Sequence, residues 1–238
     1  RRFAAEYPAD LYVSVHPLLN HTPFWALRRR FSHARFATVV TDLESAPRSW
    51  HNPAVDWLSA SCPQVQAAAV RAGVPGERVQ LCGLPIRLDF GQAQPERAQA
   101  RAALGLAQRP TVLLLGGGEG MGALESIAAA LASMLARCNG QLAVICGRNQ
   151  ALASRLASQA WPAPVRVAGY VDDMPLWMAA ADLLVSKAGP GTIAEALACG
   201  LPMILSSFVP GQESGNVRFV EENGVGVYRS DPAQIASV

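Results

Sequence analysis

The chain has 238 residues, 50% of them hydrophobic, and a formal net charge of +2, which is enough for one large or two small domains with real cores. Only 16% of residues are charged, while there are 20 Gly and 17 Pro, a turn-rich globular composition that excludes an intrinsically disordered chain. No apolar run reaches the roughly 18–20 residues needed to span a bilayer.

The chain opens on RRFAAEYPAD, without the apolar core of a signal peptide. Its first strand-length run is LYVSV, 11–15, closed by His16 and Pro17. His16 ends that strand at its carboxyl edge. Two readings stand, a residue lining a cleft and a structural imidazole bonded to a loop carbonyl. His16 and His21 lie five apart around Pro17 with no cysteine or acid cluster, which is not a metal-ligand pattern. The stretch PFWALRRRFSHARF, 23–36, interleaves aromatics with Arg. It reads either as an interfacial segment, with Trp25, Arg28, Arg29 and Arg30 toward lipid headgroups and Arg48, Trp50 and Trp57 extending the patch, or as a plain amphipathic core helix. FATVVT, 36–41, is the next strand. Asp42 ends it, placed to meet a ligand or to cap a loop. VQLC, 79–82, closes this series.

A polar stretch, LDFGQAQPERAQARAALGLAQRP at 88–110, separates two strand–helix series. The expected domains are therefore 1–90 and 91–238. Charge divides similarly: residues 1–110 carry 13 Arg against 8 acids, and 111–238 carry 7 basic against 10 acidic groups, so the first part suits an anionic surface. Five cysteines form no CxxC pair and read as buried free thiols of a reducing compartment.

The second series runs TVLLLG (111–116), LAVICG (142–147), VRVAG (165–169), DLLVS (182–186), LPMIL (201–205) and VGVY (225–228). These runs are continuous rather than alternating, as strands buried on both faces are. Helical stretches such as ALESIAAALASMLARC, 123–138, alternate with them, which predicts an α/β fold with parallel sheets. Both ends look cut within α/β domains.

Two glycine turns follow strands. In TVLLLGGGEGMGALESI, Gly117, Gly118 and Gly120 let backbone amides approach an oxyanion at a helix start. Gly118-x-Gly120-x-x-Ala123 formally fits a dinucleotide fingerprint, yet the acid expected at the end of the next strand is replaced by Cys146-Gly147-Arg148-Asn149. A P-loop is excluded: the single lysine, Lys187, precedes Ala188 rather than Ser or Thr. In the second turn, KAGPGTIAEA, Gly189 stands at the N-cap and Pro190 at the first helical position. Gly191 and Thr192 then offer free amides to a phosphate. Glu195 lies one turn on, where a carboxylate accepts two hydrogen bonds from a ribose diol; the alternative is a surface acid near a helix N-terminus. One ligand with a diphosphate and a ribose uses both turns.

GGGEGMG (116–122), ICGRN (145–149), AGYVDDMPLWMAAADLLVSKAGPGTIAEAL (168–197), GLPMIL (200–205) and VPGQESGN (209–216), together with SVHPLLNHTP (14–23), VVTDL (39–43) and CGLPIR (82–87), closely resemble the monogalactosyldiacylglycerol synthase family of GT-B glycosyltransferases, related to the transferase that builds lipid II. The resemblance covers nearly the whole chain, in order. It implies two Rossmann-like domains facing across a cleft, the N-terminal one truncated here. The C-terminal domain would bind the nucleotide sugar, and the N-terminal domain, monotopic on its membrane, the lipid acceptor. The implied reaction moves galactose from UDP-galactose to diacylglycerol with inversion. Carried over by residue, Gly116–Met121 approaches the diphosphate and Gly147, Arg148 and Asn149 flank the nucleotide. Gly169 and Tyr170 face uracil. Lys187, Gly189, Gly191 and Thr192 hold phosphate, Glu195 the ribose, and Gln212 and Glu213 the hexose. Arg87, closing the first domain, reaches the diphosphate, while His16 and Asp42 are the catalytic candidates. Pro17, Trp25, Arg28–Arg30 and Trp50 would face acceptor or membrane. No metal or cofactor is called for; an anionic phospholipid activator, a peripheral chloroplast-envelope location and a possible homodimer are implied, and no nucleic acid.

The sequence departs from the family in one respect. The glycine loop carrying a general-base His, Gly-Gly-x-His, does not occur, so donor binding without turnover is expected unless His16 substitutes. Three other readings stand: a UDP-glucose-dependent diacylglycerol glucosyltransferase, an NADP-dependent oxidoreductase using the Gly118 fingerprint, and a non-catalytic UDP-sugar or lipid-binding module.

Overall fold

The computed structural model describes residues 6–44, 46–116 and 123–238. Within them, the short apolar runs form two parallel sheets, one in each of two units, Arg1–Pro85 and Ile86–Val238. The division falls a few residues before the expected 90/91 boundary. The turn at Leu88–Gly91 packs on a helix of the second unit, and Phe90 within it is buried, so burial draws the polar stretch into that unit.

The first unit has strands β1 (Leu11–Ser14), β2 (Arg35–Val39), β3 (Trp57–Ala60) and β4 (Val79–Leu81), in that spatial order and all parallel. Helix α1 (Thr22–Arg30) joins β1 to β2, and α2 (Pro63–Arg71) joins β3 to β4. Strand β3, WLSA, is absent from the sequence-based expectation, because four residues with one serine carry no periodic signal. Its register is nonetheless fixed by Leu58 pairing with Thr38 on one side and Val79 on the other. Phe24, Phe36, Trp50, Leu58, Val65 and Val79 form the core, with Phe24 edge-on to Phe36 at 5.0 Å.

This packing withdraws Arg28 and Trp50 from the interfacial reading of 23–36. The stretch is not one helix: α1 ends at Arg30 and β2 begins at Arg35. Arg28 turns inward, donating to the Ala34 carbonyl at 2.9 Å and to Asp56 at 2.6 Å. The same Asp56 accepts from Arg35 and from the Phe36 amide, so Arg28 ties α1 to the sheet and is not available to lipid. Trp50 is 1% exposed, and its indole donates to Asp42 Oδ2 at 2.6 Å. A large ring with one polar tip is best satisfied inside when that tip has an acceptor, so Trp50 is core rather than membrane contact. Trp57 is a half-buried strand residue. The five cysteines are free, but only Cys62 and Cys146 are buried.

The second unit is a six-stranded sheet of β5 (Thr111–Leu115), β6 (Gln141–Ile145), β7 (Val165–Ala168), β8 (Leu183–Lys187), β9 (Met203–Ser207) and β10 (Gly226–Tyr228). The spatial order is β10-β9-β8-β5-β6-β7, every pair parallel. Helices α3 (Arg97–Ala103), α4 (Leu124–Arg137), α5 (Gln150–Ser158), α6 (Met174–Ala180), α7 (Pro190–Ala198), α8 (Ser214–Glu222) and α9 (Pro232–Ile235) belong to this unit. β5 and β6 are buried along their whole length, as their continuous apolar sequences require. From β5 the chain winds outward through β6 to β7, then returns to β8 and winds the other way through β9 to β10. The β5/β8 junction is therefore a topological switch point, where open parallel sheets bind ligands at strand carboxyl ends.

The opposite, amino end of this junction is closed by charge. Arg101, buried, donates to the Ala180 carbonyl at 2.9 Å and to Asp182 Oδ2 at 2.5 Å. Asp182 also accepts from the Thr111 amide at 2.7 Å and pairs with Arg97 at 3.1 Å. One carboxylate thus holds α3 against the starts of β5 and β8. Asp182→Ala leaves a buried guanidinium short of its partner and should lower stability by about 2–4 kcal/mol in urea unfolding. A loss under about 0.5 kcal/mol would show that the clamp is idle.

Candidate functional site

A cavity of about 380 Å³ opens at the carboxyl edge of β5, β6 and β8, within the range of small-ligand sites. Gly147 and Tyr170 line one side, Lys187, Gly189, Gly191, Thr192 and Glu195 the other, over Leu115, Ile145, Val171 and Met174. The second glycine turn, the phosphate-type element of the sequence, is therefore a wall of the cavity.

Its local geometry follows from residue type. Gly189 is the extended N-cap of α7 and supplies no side-chain cap. The first backbone bond of the helix is Ile193 N–H to the Gly189 carbonyl at 3.0 Å. Pro190 has no N–H, so the amides of Gly191 and Thr192 are left without a backbone partner among the described residues. Together with the helix dipole they form an anion seat. Gly191 has open space where a side chain would be, room for a ligand's approach. At Gly189 the constraint is different: a Cβ there would lie 3.2 Å from Lys187 Nζ, so glycine permits the ammonium to rest against the turn.

Lys187 reaches that place through two devices. A register irregularity between β8 and β9 falls at Ser186/Lys187, and bulges re-aim side chains at strand ends. Its ammonium then pairs with Glu213 Oε1 at 2.5 Å. Glu213 is 4% exposed, and its other oxygen accepts from the Val209 amide at 2.9 Å. Glu213, expected at the hexose, has its carboxylate turned beneath Lys187, because an acid shielded from water needs a cation and hydrogen-bond donors. Asn216, on the buried face of α8, donates to the Ala188 carbonyl at 2.8 Å. The GQESGN segment braces the turn from behind. Gln212 is exposed.

Glu195 is half-buried on α7, facing the cavity. No side-chain hydrogen bond holds its carboxylate among the described residues. Burial raises its pKa above the ordinary 4.5, the nearby Arg87 charge pulls it back, and Asp89 pushes it up again. Arg87, expected at the close of the first domain, lies in the second unit, forked onto Asp89 and donating to the Asp172 carbonyl at 2.6 Å. Asp89 raises its pKa. The exposed guanidinium is thus held within electrostatic reach of Glu195.

On the other wall, Gly147 adopts φ +59° after β6. Arg148 lies 5.6 Å over the Tyr170 ring, which is 55% exposed and offers a flat face. Asn149 does not face the cavity: its side chain accepts from the Leu152 amide at 3.0 Å as the N-cap of α5, a commitment typical of Asn before a helix. Gly169 leaves 3.3 Å between a Cβ and the Gln150 side chain. Gly117, Gly118, Gly120 and Met121 lie outside the described residues. Sequence reasoning missed the apolar floor of Val171 and Met174, the bracing by Asn216, and the Asp89 partner of Arg87. Asn216 closes the VPGQESGN motif; the others carry no local signal.

In the first unit, Thr41 Oγ1 reaches the Val15 carbonyl at 3.5 Å, so the segments carrying His16 and Asp42 run side by side at the carboxyl ends of β1 and β2. His16 is exposed, and its Nδ1 accepts from the Leu18 amide at 3.3 Å as a cap. Asp42 Oδ2 is taken by Trp50. Pro17 opens the short turn that follows. Leu18, in the turn before α1, is 74% exposed and Trp25, on α1, 53% exposed, and Arg29 and Arg30 at the end of α1 are both exposed. His51 is buried, with neither nitrogen bonded among the described residues, and burial lowers its pKa.

Residues 111–231 match the sequence model of the glycosyltransferase family 28 C-terminal domain, and residues 1–86 that of monogalactosyldiacylglycerol synthase. The chain is 42% identical to monogalactosyldiacylglycerol synthase 3, chloroplastic, of Arabidopsis thaliana, over 98% of this chain and 52% of that protein. To monogalactosyldiacylglycerol synthase, chloroplastic, of Spinacia oleracea it is 43% identical over 97% of this chain and 46% of that one. It thus spans about half the length of the curated relatives it matches. Among solved structures, MurG of Acinetobacter baumannii aligns at TM-score 0.66 and 15% identity over 99% of this chain and 65% of that one. The calicheamicin glycosyltransferase CalG4 aligns at 0.65 and 17%, over 99% and 67%. These structures share the GT-B fold with this chain.

The electrostatics of the cavity are checked without ligand by carboxyl-carbon titration of Glu195 in NMR. Its midpoint should lie above 4.5. Arg87→Ala should raise it further by removing a stabilising charge, and Asp89→Asn should lower it. A midpoint at or below the ordinary value, unmoved by either change, would contradict the arrangement.

Proposed function

The chain belongs to glycosyltransferase family 28, with a first unit matching monogalactosyldiacylglycerol synthase, and on that footing we propose that it moves galactose from UDP-galactose to diacylglycerol with inversion. The observation that carries this reading is the spacing on α7. Two unpartnered amides at Gly191 and Thr192, with Lys187 beside them, suit a diphosphate. Glu195, one turn later, presents an unbonded carboxylate to the vicinal hydroxyls of a ribose. Tyr170 and the apolar floor of Val171 and Met174 suit a flat base.

In this reading the acceptor hydroxyl attacks the anomeric carbon. The bond from that carbon to the phosphate oxygen breaks, and the electron pair leaves with UDP. Lys187, the Gly191 and Thr192 amides and Arg87 stabilise the charge that develops on the departing diphosphate. The hydroxyl proton passes to a base on the acceptor side, where His16 and Asp42 are the candidates. Leu18, Trp25, Arg29 and Arg30 supply an apolar and basic surface for an anionic lipid layer. That surface supports peripheral attachment to a chloroplast membrane and activation by anionic phospholipid. No metal is assigned a role.

Glu195 sets the sign of the pH dependence. Its ionised form accepts from the ribose, so UDP affinity should rise as pH rises through the elevated Glu195 pKa and fall below it. By calorimetry at neutral pH, Glu195→Ala should weaken UDP by about 1–3 kcal/mol, the loss of hydrogen bonds to a charged group, with NADPH as the control that does not bind. A chain that binds NADPH rather than UDP, or UDP with equal strength in Glu195→Ala, contradicts the donor-site reading.

A further inference from the structure

Arg87 stands between two acids. Asp89 is two residues on, in the turn Leu88–Gly91, and Glu195 is on α7, against which that turn packs. Arg87 gives its guanidinium to the first. Its Nε donates to both Asp89 oxygens, at 3.1 and 3.2 Å, and its Nη2 to Asp89 Oδ2 and to the Asp172 carbonyl. Nη1 carries no hydrogen bond among the described residues. Glu195, half-buried at the cavity, has its carboxylate unbonded among them.

We propose that Asp89 is a positioning residue, which holds the Arg87 guanidinium off Glu195 and so keeps that carboxylate open to the hydroxyls of the donor ribose. The inference rests on the ribose reading of Glu195. Its first support is proximity. Burial raises the Glu195 pKa, Arg87 lowers it and Asp89 raises it, so both charges lie within electrostatic reach of the carboxylate. A released guanidinium would pair with Glu195, since its fork of N–H donors matches a carboxylate. A paired carboxylate has fewer lone pairs to offer a diol. The second support is direction. The bond from Nη2 to the Asp172 carbonyl ties Arg87 to the segment that follows Tyr170, on the cavity wall across from Glu195. The third support is that the turn keeps its shape by other means. Phe90 is 3% exposed, and its amide donates to the Arg87 carbonyl at 3.2 Å. Gln94 Nε2 donates to the Asp89 carbonyl at 2.7 Å. The Arg87 and Asp89 side chains are 46% and 40% exposed, and ion pairs that exposed add little to stability. What the pair decides is where the guanidinium points.

The test is calorimetry on the full chain with UDP and 2′-deoxy-UDP, for the wild type, Asp89→Asn, Asp89→Ser and Arg87→Ala/Asp89→Asn. Base and diphosphate are common to both ligands, so the ratio of their affinities reads the ribose hydroxyl alone. The wild type should prefer UDP about tenfold, the worth of one hydrogen bond to a charged group. Asp89→Asn and Asp89→Ser should each cut that preference to about twofold. Removing Arg87 as well should return it to within about twofold of the wild-type value, because the competitor for Glu195 is gone. UDP binding in each variant reports that its cavity is folded. A preference of about tenfold retained in both single variants overturns the proposal. A preference lost in Asp89→Asn and not recovered in the double variant overturns it too, since Asp89 then acts otherwise than through Arg87. Both results leave the donor-site reading standing. A wild type that binds UDP and 2′-deoxy-UDP alike overturns the ribose reading and this inference with it. A folded wild-type chain that binds neither overturns the donor-site reading as a whole.

Discussion

The contact on which the site depends is the ion pair between Glu213 and Lys187. A carboxylate 4% exposed is costly to bury without a cation and hydrogen-bond donors beside it. Lys187, the single lysine of the chain, supplies the cation, and the Val209 amide supplies a donor. The pairing fixes an ammonium against Gly189, at the mouth of the unpartnered amides of α7. Removing the glycine would crowd that ammonium, and removing the β8/β9 irregularity would aim the lysine elsewhere. Each feature is modest alone; their convergence makes a preorganised anion site at the switch point of the sheet.

Much of this arrangement is legible in the amino-acid sequence. The continuous apolar runs mark nine of the ten described strands, because strands buried on both faces have no polar alternation to blur. The KAGPGT turn is legible because glycine, proline and threonine at a helix start have few structural alternatives. What escapes depends on contacts between distant residues. Strand β3 is defined by its neighbours' register rather than its own four residues. The resemblance places Glu213 at the hexose, but sequence does not show that its carboxylate turns beneath Lys187. Asn149 reads as a nucleotide contact although an Asn before a helix has a strong local claim as N-cap. Arg28 and Trp50 read as surface because alternating aromatics and arginines look alike in an interfacial helix and in a helix clamped to a sheet.

The two units differ in how their polar groups are used. In the second, the unbonded groups face a cavity: the Gly191 and Thr192 amides and Glu195. In the first, most polar side chains near the strand ends are consumed internally. Asn20 accepts from Thr38, Asn52 donates to the Asn20 carbonyl, and Asp42 accepts from Trp50. Among the side chains that unit leaves exposed are Leu18 and Trp25, with Arg29 and Arg30 at the end of α1. A nucleotide suits the cavity of the second unit and an anionic lipid layer the exposed side chains of the first, in line with the proposed transfer.

A nucleoside diphosphate at the carboxyl edge of the second sheet would rest on the α7 amides of Gly191 and Thr192. Backbone hydrogen exchange with and without UDP tests it most directly. Exchange should slow at Gly191 and Thr192, with lesser protection from Gly147 to Tyr170 and little change in the first unit. Unchanged exchange at Gly191 and Thr192 under saturating UDP, or protection confined to residues 6–44 and 46–85, would contradict it.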